Sequence, residues 1–451
     1  MTTMTDPAGP AMTATAGPAP AGLPRLLPPV PGVPDDLRAH LTRHGRPPYR
    51  GGRGLLIHTV AEAGLTGRGG AAFPMHRKLA IVAAARGGRA VIVANGAESE
   101  PTSRKDALLL RVAPHLVLDG LQLAAEAIGA TEAHLYVHQG TGSHLMRALS
   151  ERHAAGVDWL GVTVTEAPPR FLAGQESALV NRLGGGPARP TFVPPRVWQR
   201  GLGGAPTLVQ NVETLGHLAL IARYGPRWFR ELGTAEEPGT MLTTVHQPDG
   251  KTQVIEAEIG HPLRALLPSQ ADAQADAQTA AEVQAQAVLV GGFHGTWLGA
   301  AAAATLTLDN QALSRHDAAL GAGVVAALPA DRCGLAEAAR VTRYLAAESA
   351  GQCGPCLNGL PAIAGALAEL AGPGPRRAAR QNAERWAGPE NLVAGRGACG
   401  HPDGTVRFVR SALTVFAAEI SLHEHGQCSA TNRTPFLPLP AGLPTTEDDW
   451  T

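Results

Sequence analysis

The order of apolar and polar stretches predicts an α/β unit in the first half of the chain. A short apolar run at 90–94 predicts a buried strand, and the polar segment NGAESEPTSRKD (95–106) follows it as a loop. Apolar positions at helical spacing come next, near 114–128, and a second strand pattern covers 133–138. Strand, loop, helix and strand form a βαβ unit, in which ligands bind at the carboxyl ends of the strands. The pattern therefore places the loop at the expected binding edge.

A hairpin and a helical region follow. The segments TMLTTV and TQVIEAEI alternate on either side of Pro248-Asp249-Gly250, which predicts a β-hairpin within 238–268. Later residues are mostly helical by pattern, and biased composition marks three segments as low in structure. We divide the chain into a disordered Pro/Ala-rich tail (1–37), an α/β domain (38–235), a strand-containing domain (238–320) with a low-complexity insertion (269–286), a helical domain (325–430) and a loose tail (431–451).

The composition is that of a neutral globular protein. Lys and Arg together number 38, as do Asp and Glu, and 44% of the residues are hydrophobic. A neutral chain without a basic stripe argues against nucleic acid as a partner. The uncharged stretch 287–308 is long enough for a bilayer, but its glycines, histidine and alanines predict no membrane span. No secretory signal is recognisable, and five cysteines, an odd number, favour a metal or cluster site in a reducing compartment, so we expect a cytoplasmic protein.

A glycine-rich segment is the first candidate binding element. GLTGRGGAAFP (64–74) supplies glycines that let the backbone approach a phosphate or a flat ring and leave amides free to donate. The segment matches neither the dinucleotide-binding fingerprint nor a P-loop. Taken alone, it is explained better by a flexible surface turn.

The loop after the first strand is the second candidate. Asn95, Glu98 and Glu100 lie within six residues of one another at the predicted strand end. The acidic side chains could bind ribose hydroxyls and Lys105 could neutralise a phosphate, while an ordinary solvated loop is the alternative. The chain has only three lysines, and two of them, Lys78 and Lys105, fall at these two segments. This placement favours a binding role.

The cysteines form a metal-site pattern. Cys353 and Cys356 make a CxxC, and Cys399 follows further along. Thiolates two residues apart can hold a metal ion or an iron–sulfur cluster, which a distant cysteine completes. Together with His401 they would also satisfy a Cys₃His zinc site. Cys333 has no paired spacing and is predicted to be a buried thiol.

Together these segments resemble the NADH-oxidising flavoprotein subunit of respiratory complex I and its relatives in soluble hydrogenases and formate dehydrogenases. GLTGRGGAAFPMHRK is similar to the family's GLRGRGGAGFPTGLK, and VANGAESEPTSRKD to its CNADEGEPGTFKD. AGQESALVNRLGGGPARPTFVPP and GLGGAPTLVQNVETL resemble its GEETALL, PPFPA and GKPTVVNNVETL segments. AAESAGQCGPCLNG resembles ESCGxCxPCREG, and GACGHPDG stands where the family has its last cluster cysteine. The likeness covers most of residues 55–430 in the family's order.

The resemblance implies a fold and a chemistry. The fold is an α/β Rossmann-like flavin domain, then a β-grasp domain, then a C-terminal helical bundle with an iron–sulfur site. The chemistry is hydride transfer from NAD(P)H to FMN, then single-electron transfer through a [4Fe–4S] or [3Fe–4S] cluster. The acceptor would be a ferredoxin-like protein, a membrane redox subunit or a quinone-linked acceptor. Because the flavin does the chemistry, no catalytic side chain is implied.

Residue by residue, the resemblance assigns two sets of cofactor contacts and a set of cluster ligands. The flavin side consists of Gly67, Arg68, Gly69, Lys78, Asn95, Glu98, Asn211 and Thr214. The nucleotide side consists of Gly70, Phe73, Glu100 and Glu176. The cluster ligands are Cys353, Cys356 and Cys399, with His401 or Cys428 as the fourth.

Several positions depart from the family. Ala350 replaces the first of its four cluster cysteines, and alanine cannot ligate iron. Ala97 replaces an aspartate at the flavin edge, and Val193 and Arg196 replace a lysine and a phenylalanine near the nucleotide. These changes predict a largely kept flavin site, a weakened nucleotide site and an altered cluster site.

Two functions are therefore weighed. The first is a stand-alone, NADH dehydrogenase-like oxidoreductase that contains FMN and an iron–sulfur cluster. The alternative is a non-catalytic assembly or scaffold relative that holds a structural metal at Cys353, Cys356, Cys399 and His401.

Overall fold

Two β-sheets and a helical region make up the computed structural model, which describes residues 22–30, 32–52, 54–85, 89–267, 285–372, 377–388, 391–442 and 450–451. The first part contains α1 (Leu37–His44), α2 (Leu55–Ala63), α3 (Met75–Ala83), β1 (Val91–Gly96), α4 (Lys105–Val112), α5 (Pro114–Ile128), β2 (Glu132–His138), α6 (Gly142–Ala154), β3 (Val162–Ala167), α7 (Glu176–Leu183), β4 (Thr207–Asn211) and α8 (Val212–Phe229). The second contains β5 (Thr240–His246), β6 (Thr252–Glu258), α9 (Leu263–Leu266), β7 (Ala285–Val290), β8 (Thr296–Gly299), α10 (Ala300–Ala303), α11 (Asn310–Ser314) and β9 (Val324–Pro329). The third contains α12 (Gly334–Ala347), a π-helical turn (Pro355–Gly359), α13 (Leu360–Ala371), α14 (Arg377–Ala387), α15 (His401–Val415) and α16 (Ala417–Glu424).

The first sheet is parallel throughout, in the order β3-β2-β1-β4. The chain adds β2 and β3 on one side of β1 and then returns to place β4 on the other side. Asn95 of β1 lies in register with Asn211 of β4, so both lie at the carboxyl edge where the strand order reverses. Sheets of this kind bind ligands at such a point. The predicted βαβ unit is confirmed, since β1 and β2 pair in parallel with α5 between them.

The second sheet is mixed, in the order β6-β5-β9-β7-β8. β5 and β6 form the predicted hairpin. β9 lies in the middle of this sheet, so the predicted boundary between residues 320 and 325 was wrong and the helical region begins only at α12. Every residue of β9 is buried, and a fully buried strand shows no alternation that would distinguish it from a helix.

Each face of the second sheet is covered. Val288 and Val290 pack on one side with apolar residues of α9 and α11. Leu289 and Trp297 pack on the other side with Phe408 and other side chains of the helical region. The uncharged stretch that begins at residue 287 thus supplies β7 and β8. In the described ranges no single helix is long and apolar enough to cross a membrane, and only α4 and α5 taken together, bent by 96°, meet that criterion.

Both segments predicted to be tails contain packed residues. Leu26 is fully buried, and its N–H and that of Arg25 each donate to Glu256 Oε2 at 2.9 Å. At the other end Trp450 is buried, with the Arg170 guanidinium 4.0 Å from its ring centroid. The prediction of disorder was therefore wrong for the described parts of 1–37 and 431–451, because their few apolar side chains complete cores built by other segments. Residues 1–21 and 269–284, which include most of the predicted insertion, lie outside the described residues.

A buried ionic cluster joins four helices of the first part. Asp119 of α5 is fully buried, and its carboxylate contacts Arg152 of α6 at 2.7 Å, His40 of α1 at 2.8 Å and Arg223 of α8. Burial alone would raise the pKa of Asp119, but the three basic neighbours outweigh it and hold the pKa well below its usual range. The carboxylate is therefore ionised, and it compensates two buried guanidinium groups.

We expect Asp119→Ala to lower the free energy of unfolding by about 3–5 kcal/mol, because it leaves buried positive charge uncompensated. Lys251→Ala is the control, since it removes an exposed ion pair with Asp249 and should cause no measurable change. Denaturant unfolding of both variants checks this. Equal decreases in the free energy of unfolding of the two variants would show that the buried ion pairs of Asp119 stabilise the fold no more than the exposed pair does.

Candidate functional site

The start of α8 holds the residues at the carboxyl edge of the first sheet. Asn211 caps this helix, since its Oδ1 accepts the N–H groups of Glu213 at 3.0 Å and Thr214 at 3.4 Å. Its Nδ2 donates to Asp106 at 2.8 Å. Thr214 Oγ1 accepts the N–H of Arg68 at 2.8 Å, so the glycine-rich turn is fixed on the same helix start. The helix dipole places partial positive charge at this start, which favours a nearby anion such as phosphate.

The glycine-rich turn requires its glycines. Gly70 has a φ of +105°, a backbone conformation that residues with a side chain rarely adopt. A Cβ at Gly69 would lie only 3.2 Å from Asn211 Cβ. The Arg68 guanidinium is buried and donates to the backbone oxygens of Thr240 and Pro238 in the second part of the chain. Burial lowers the pKa of Arg68. The backbone of the turn thus faces the sheet edge, while the Arg68 side chain binds the turn to the second part of the chain.

The loop of residues 95–106, here called the acidic loop, is held in place by hydrogen bonds of its own polar side chains. Asn95 Nδ2 donates to the backbone oxygen of Gly174 at 2.8 Å. Glu98 accepts the N–H groups of Asp106 and Ala107 at 3.1 and 3.0 Å, and so caps α4. Glu100 accepts a hydrogen bond from Thr102 and another from the N–H of Phe293 in the second part, and burial raises its pKa to about 6.

Lys105 is buried and paired with two carboxylates. Its ammonium group donates to Asp106 at 2.7 Å and to Glu213 at 2.8 Å. Burial alone would lower the pKa of Lys105, but the two carboxylates outweigh it and the pKa is raised. Burial, with Glu98 and Glu213 nearby, raises the pKa of Asp106. The lysine therefore compensates the buried carboxylates of Asp106 and Glu213.

Two adjoining cavities open at this edge. The smaller one, of about 140 Å³, is lined by Arg68, Gly69, Asn95, Ala97, Glu98, Ser99, Glu100, Ser103, Lys105, Asp106, Gly174, Asn211 and Ala322. The larger one, of about 390 Å³, shares residues 97–100 and extends to Arg170, Phe171, Tyr344 and residues 438–440. The acidic loop thus forms the wall between them.

A second group of predicted residues lies between α3 and α7. Lys78 donates to Glu176 at 2.7 Å. Phe73 stacks on Trp198, with the ring centroids 6.1 Å apart, and the Lys78 ammonium lies 5.5 Å from the indole centroid. Arg196, which stands where the family has a phenylalanine, lies 5.3 Å from the same ring.

Trp198 is a residue of this group that was not predicted from the sequence. The loss of an aromatic residue at position 196 predicts a weakened nucleotide site, but Trp198 supplies an aromatic face two positions later and stacks on Phe73. One feature of the sequence could have indicated it: Trp198 lies inside the segment that resembles the family, in a chain with only 4% aromatic residues. Its partner lies more than a hundred residues away, so spacing alone could not reveal the pair.

Cys353, Cys356 and Cys399 lie together in the helical region. Burial, and then the neighbouring Cys353 and Cys399, raise the pKa of Cys356 to about 12. The backbone N–H of Gly351 at Cys356, and that of His401 at Cys399, act in the opposite direction and favour a lower pKa of each thiol. Backbone donors of this kind stabilise thiolates that ligate a metal or cluster.

Neither candidate for the fourth ligand reaches these three sulfurs with a free atom in the structure. The His401 ring has partners at both nitrogens, His294 Nε2 at 2.9 Å and the Leu345 oxygen at 2.8 Å. Cys428 groups with Cys333 instead. Ala350 is buried and offers no ligand atom. A Cys₃His metal site would require the His401 ring to give up one of these two partners.

Comparison with known proteins gives two family matches. Residues 60–219 match the Nuo51 FMN-binding domain, and residues 336–423 match the NADH-ubiquinone oxidoreductase-F iron-sulfur binding region. An NADH-quinone oxidoreductase subunit of Rhizobium meliloti is 28% identical over 387 residues, which cover 83% of this chain and 90% of that protein. The corresponding NADH-quinone oxidoreductase subunit of Rickettsia bellii is 28% identical over 320 residues, covering 68% of this chain and 76% of that protein.

A solved structure is similar as well. The NAD+-reducing [NiFe]-hydrogenase in its H2-reduced state matches with a TM-score of 0.71 and 28% identity. The match covers 82% of this chain, and the chain spans 62% of that hydrogenase chain.

The parallel sheet with a cavity at its reversal point, and the helical region with clustered thiols, define an α/β protein with a candidate cofactor site and a candidate cysteine-based centre. With both family models matched, the chain belongs to the family of NADH-binding flavoprotein subunits. The resemblance drawn from the sequence is confirmed.

The residues present fit the groups that this family implies. The sheet edge offers amides, glycine backbone and a helix start, and the two adjoining cavities together have the size of ordinary ligand pockets, about 300–1,000 Å³. Three thiols fit three ligand positions of an iron–sulfur cluster, and Ala350 leaves the fourth without a thiolate.

We expect Cys353→Ser to remove most of the bound iron, because a cluster with two thiolates is poorly held. Cys333→Ser is the matched control and should retain the iron, since Cys333 groups with other side chains. Iron per chain, counted after anaerobic purification, checks this. Equal iron in the two variants would overturn the assignment of the cluster ligands.

Proposed function

We propose that this protein is an oxidoreductase that takes a hydride from NADH onto FMN and passes the electrons singly, through an iron–sulfur cluster, to a redox partner. The observation that carries the proposal is the polar cavity at the reversal point of the first sheet, in the same chain as three grouped thiols. Both family matches agree with it. When bound, FMN supplies two-electron and one-electron chemistry, so the chain's own residues serve to bind, orient and tune.

The flavin would be held at the sheet edge. Gly67 and Gly69 let the backbone approach its phosphate or ring, and the positive end of the α8 dipole favours the phosphate charge. The side-chain amide of Asn95 is oriented by the hydrogen bond that it donates to the Gly174 oxygen. The hydrogen bonds of these side chains within the protein orient them before any ligand arrives, which lowers the cost of binding.

The nucleotide would be held by the group between α3 and α7. Phe73 and Trp198 offer aromatic faces, which suit the flat base and nicotinamide rings. Glu176 is oriented by Lys78, and Glu100 by Thr102 and Phe293, so both carboxylates can accept ribose hydroxyls. The acidic loop between the two cavities would separate the flavin from part of the nucleotide.

The cluster would be held by Cys353, Cys356 and Cys399, as a [3Fe–4S] cluster or as a [4Fe–4S] cluster with a ligand other than cysteine. The second sheet would be the β-grasp domain, and the helical region the cluster domain, in that order along the chain. The acceptor would be another component of a redox complex, because the similar proteins are named as subunits of larger enzymes.

Steady-state kinetics test the proposal. The anaerobically purified protein, with FMN and iron counted, should oxidise NADH with an artificial one-electron acceptor at about 1 s⁻¹ or faster. Protein stripped of FMN is the control and should regain the rate when FMN is restored. A protein that binds FMN and iron but turns over no NADH would contradict the proposal.

We expect Trp198→Ala to raise KM for NADH about fivefold with little change in kcat, because a lost aromatic stack is worth about 1 kcal/mol. Trp159→Ala is the matched control. Trp159 precedes β3, at the opposite edge of the first sheet, and is about half exposed. A change in kcat without a change in KM would show that Trp198 has another role.

A further inference from the structure

We infer that the helical region contains a second metal site, for a single zinc-type divalent ion, formed by Cys333, Glu419, His423 and Cys428. Their ligand atoms all lie within 4.8 Å of one another. Cys333 and Cys428 lie just outside the matched iron–sulfur region, which covers residues 336–423. The site is therefore distinct from the three grouped thiols that would hold the cluster.

The distances suit one tetrahedral ion. Cys333 Sγ lies 3.5 Å from His423 Nε2 and 3.7 Å from Glu419 Oε1, and the latter two atoms are 3.0 Å apart. Around a zinc ion with bonds of about 2.0–2.3 Å, neighbouring ligand atoms lie about 3.3–3.8 Å apart. Small adjustments of the side chains would admit the ion.

Three structural elements bring the ligands together. Glu419 and His423 lie one turn apart on the same face of α16. Cys333 caps α12, where its sulfur accepts the N–H of Ala336 at 3.3 Å, and a helix start favours a thiolate. Cys428 follows the end of α16 and is the one exposed member of the group.

Neighbouring groups orient the ligand atoms. His423 Nδ1 lies 3.1 Å from the Leu370 oxygen, to which it donates, so the lone pair is on Nε2, which faces Cys333. Ser429 donates to both oxygens of Glu419, from its hydroxyl and from its N–H. Such outer hydrogen bonds are typical of histidine and carboxylate ligands in metal sites.

The chemical types of the four ligand atoms determine which ion the site would favour. Two sulfurs, an imidazole nitrogen and a carboxylate favour zinc over calcium or magnesium, which take oxygen ligands. Four protein ligands leave no open position for a substrate, which is typical of a structural zinc site.

The ion would tie the segment after Cys428 to the helices. The N–H groups of Thr431 and Asn432 already donate to the Asp331 oxygen at 3.1 and 3.0 Å, next to Cys333. Further along, residues 438–440 line the larger cavity beside the acidic loop. A metal at this site would therefore stabilise one wall of that cavity.

Metal analysis tests the inference independently of any activity. The full chain, expressed in medium with zinc and freed of loose metal, should contain about one zinc per chain. Cys428→Ser and His423→Gln should lose at least about four fifths of that zinc, because each removes one of four ligands. Cys353→Ser is the matched control and should keep its zinc while it loses iron. X-ray absorption at the zinc edge should show sulfur at about 2.3 Å and lighter ligands at about 2.0–2.2 Å.

Three results would overturn the inference. The first is a chain without zinc under these conditions. The second is zinc that persists in Cys428→Ser and His423→Gln but disappears in Cys353→Ser, which would place the metal at the cluster cysteines. The third is a disulfide between Cys333 and Cys428 in the purified protein. Cys428 is exposed, so its serine variant should fold, and an unchanged circular dichroism spectrum would show this.

Discussion

Glu213, a fully buried carboxylate at the start of α8, connects the parts of the molecule that form the cavity. One of its oxygens accepts the N–H of Leu242 in the second sheet at 2.8 Å, and the other accepts the ammonium group of Lys105. A buried carboxylate is costly unless its partners are in place. The position of the second sheet against the acidic loop therefore depends on this group, and so does the shape of the cavity.

The loop between β7 and β8 extends this connection to the helical region. The N–H of Phe293 donates to Glu100 of the acidic loop, and the ring of the next residue, His294, contacts His401 at the start of α15. His401 in turn follows Cys399 by two residues. The acidic loop and the region of Cys399 are thus joined by one short loop between β7 and β8.

The sequence predicted those elements whose pattern is local. β1, α5, β2 and the hairpin follow from periodicity and turn residues, and the resemblance located the cavity residues. Leu26 and Trp450 could not be predicted as buried, because each lies in a Pro-rich segment without periodicity and its burial depends on cores built elsewhere. The same holds for the stack of Trp198 on Phe73 and for the grouping of Cys333 with Cys428. In each pair the partners are distant in sequence, and only the fold brings them together.

The central claim is that NADH reduces a flavin in this chain and that an iron–sulfur cluster receives the electrons. Anaerobic titration of the purified protein with NADH, followed by visible absorption and low-temperature electron paramagnetic resonance, tests it most directly. The account predicts that the flavin absorption bleaches at about one NADH per FMN and that the signal of the cluster changes in the same titration. A flavin that stays oxidised in excess NADH but bleaches with dithionite would contradict it.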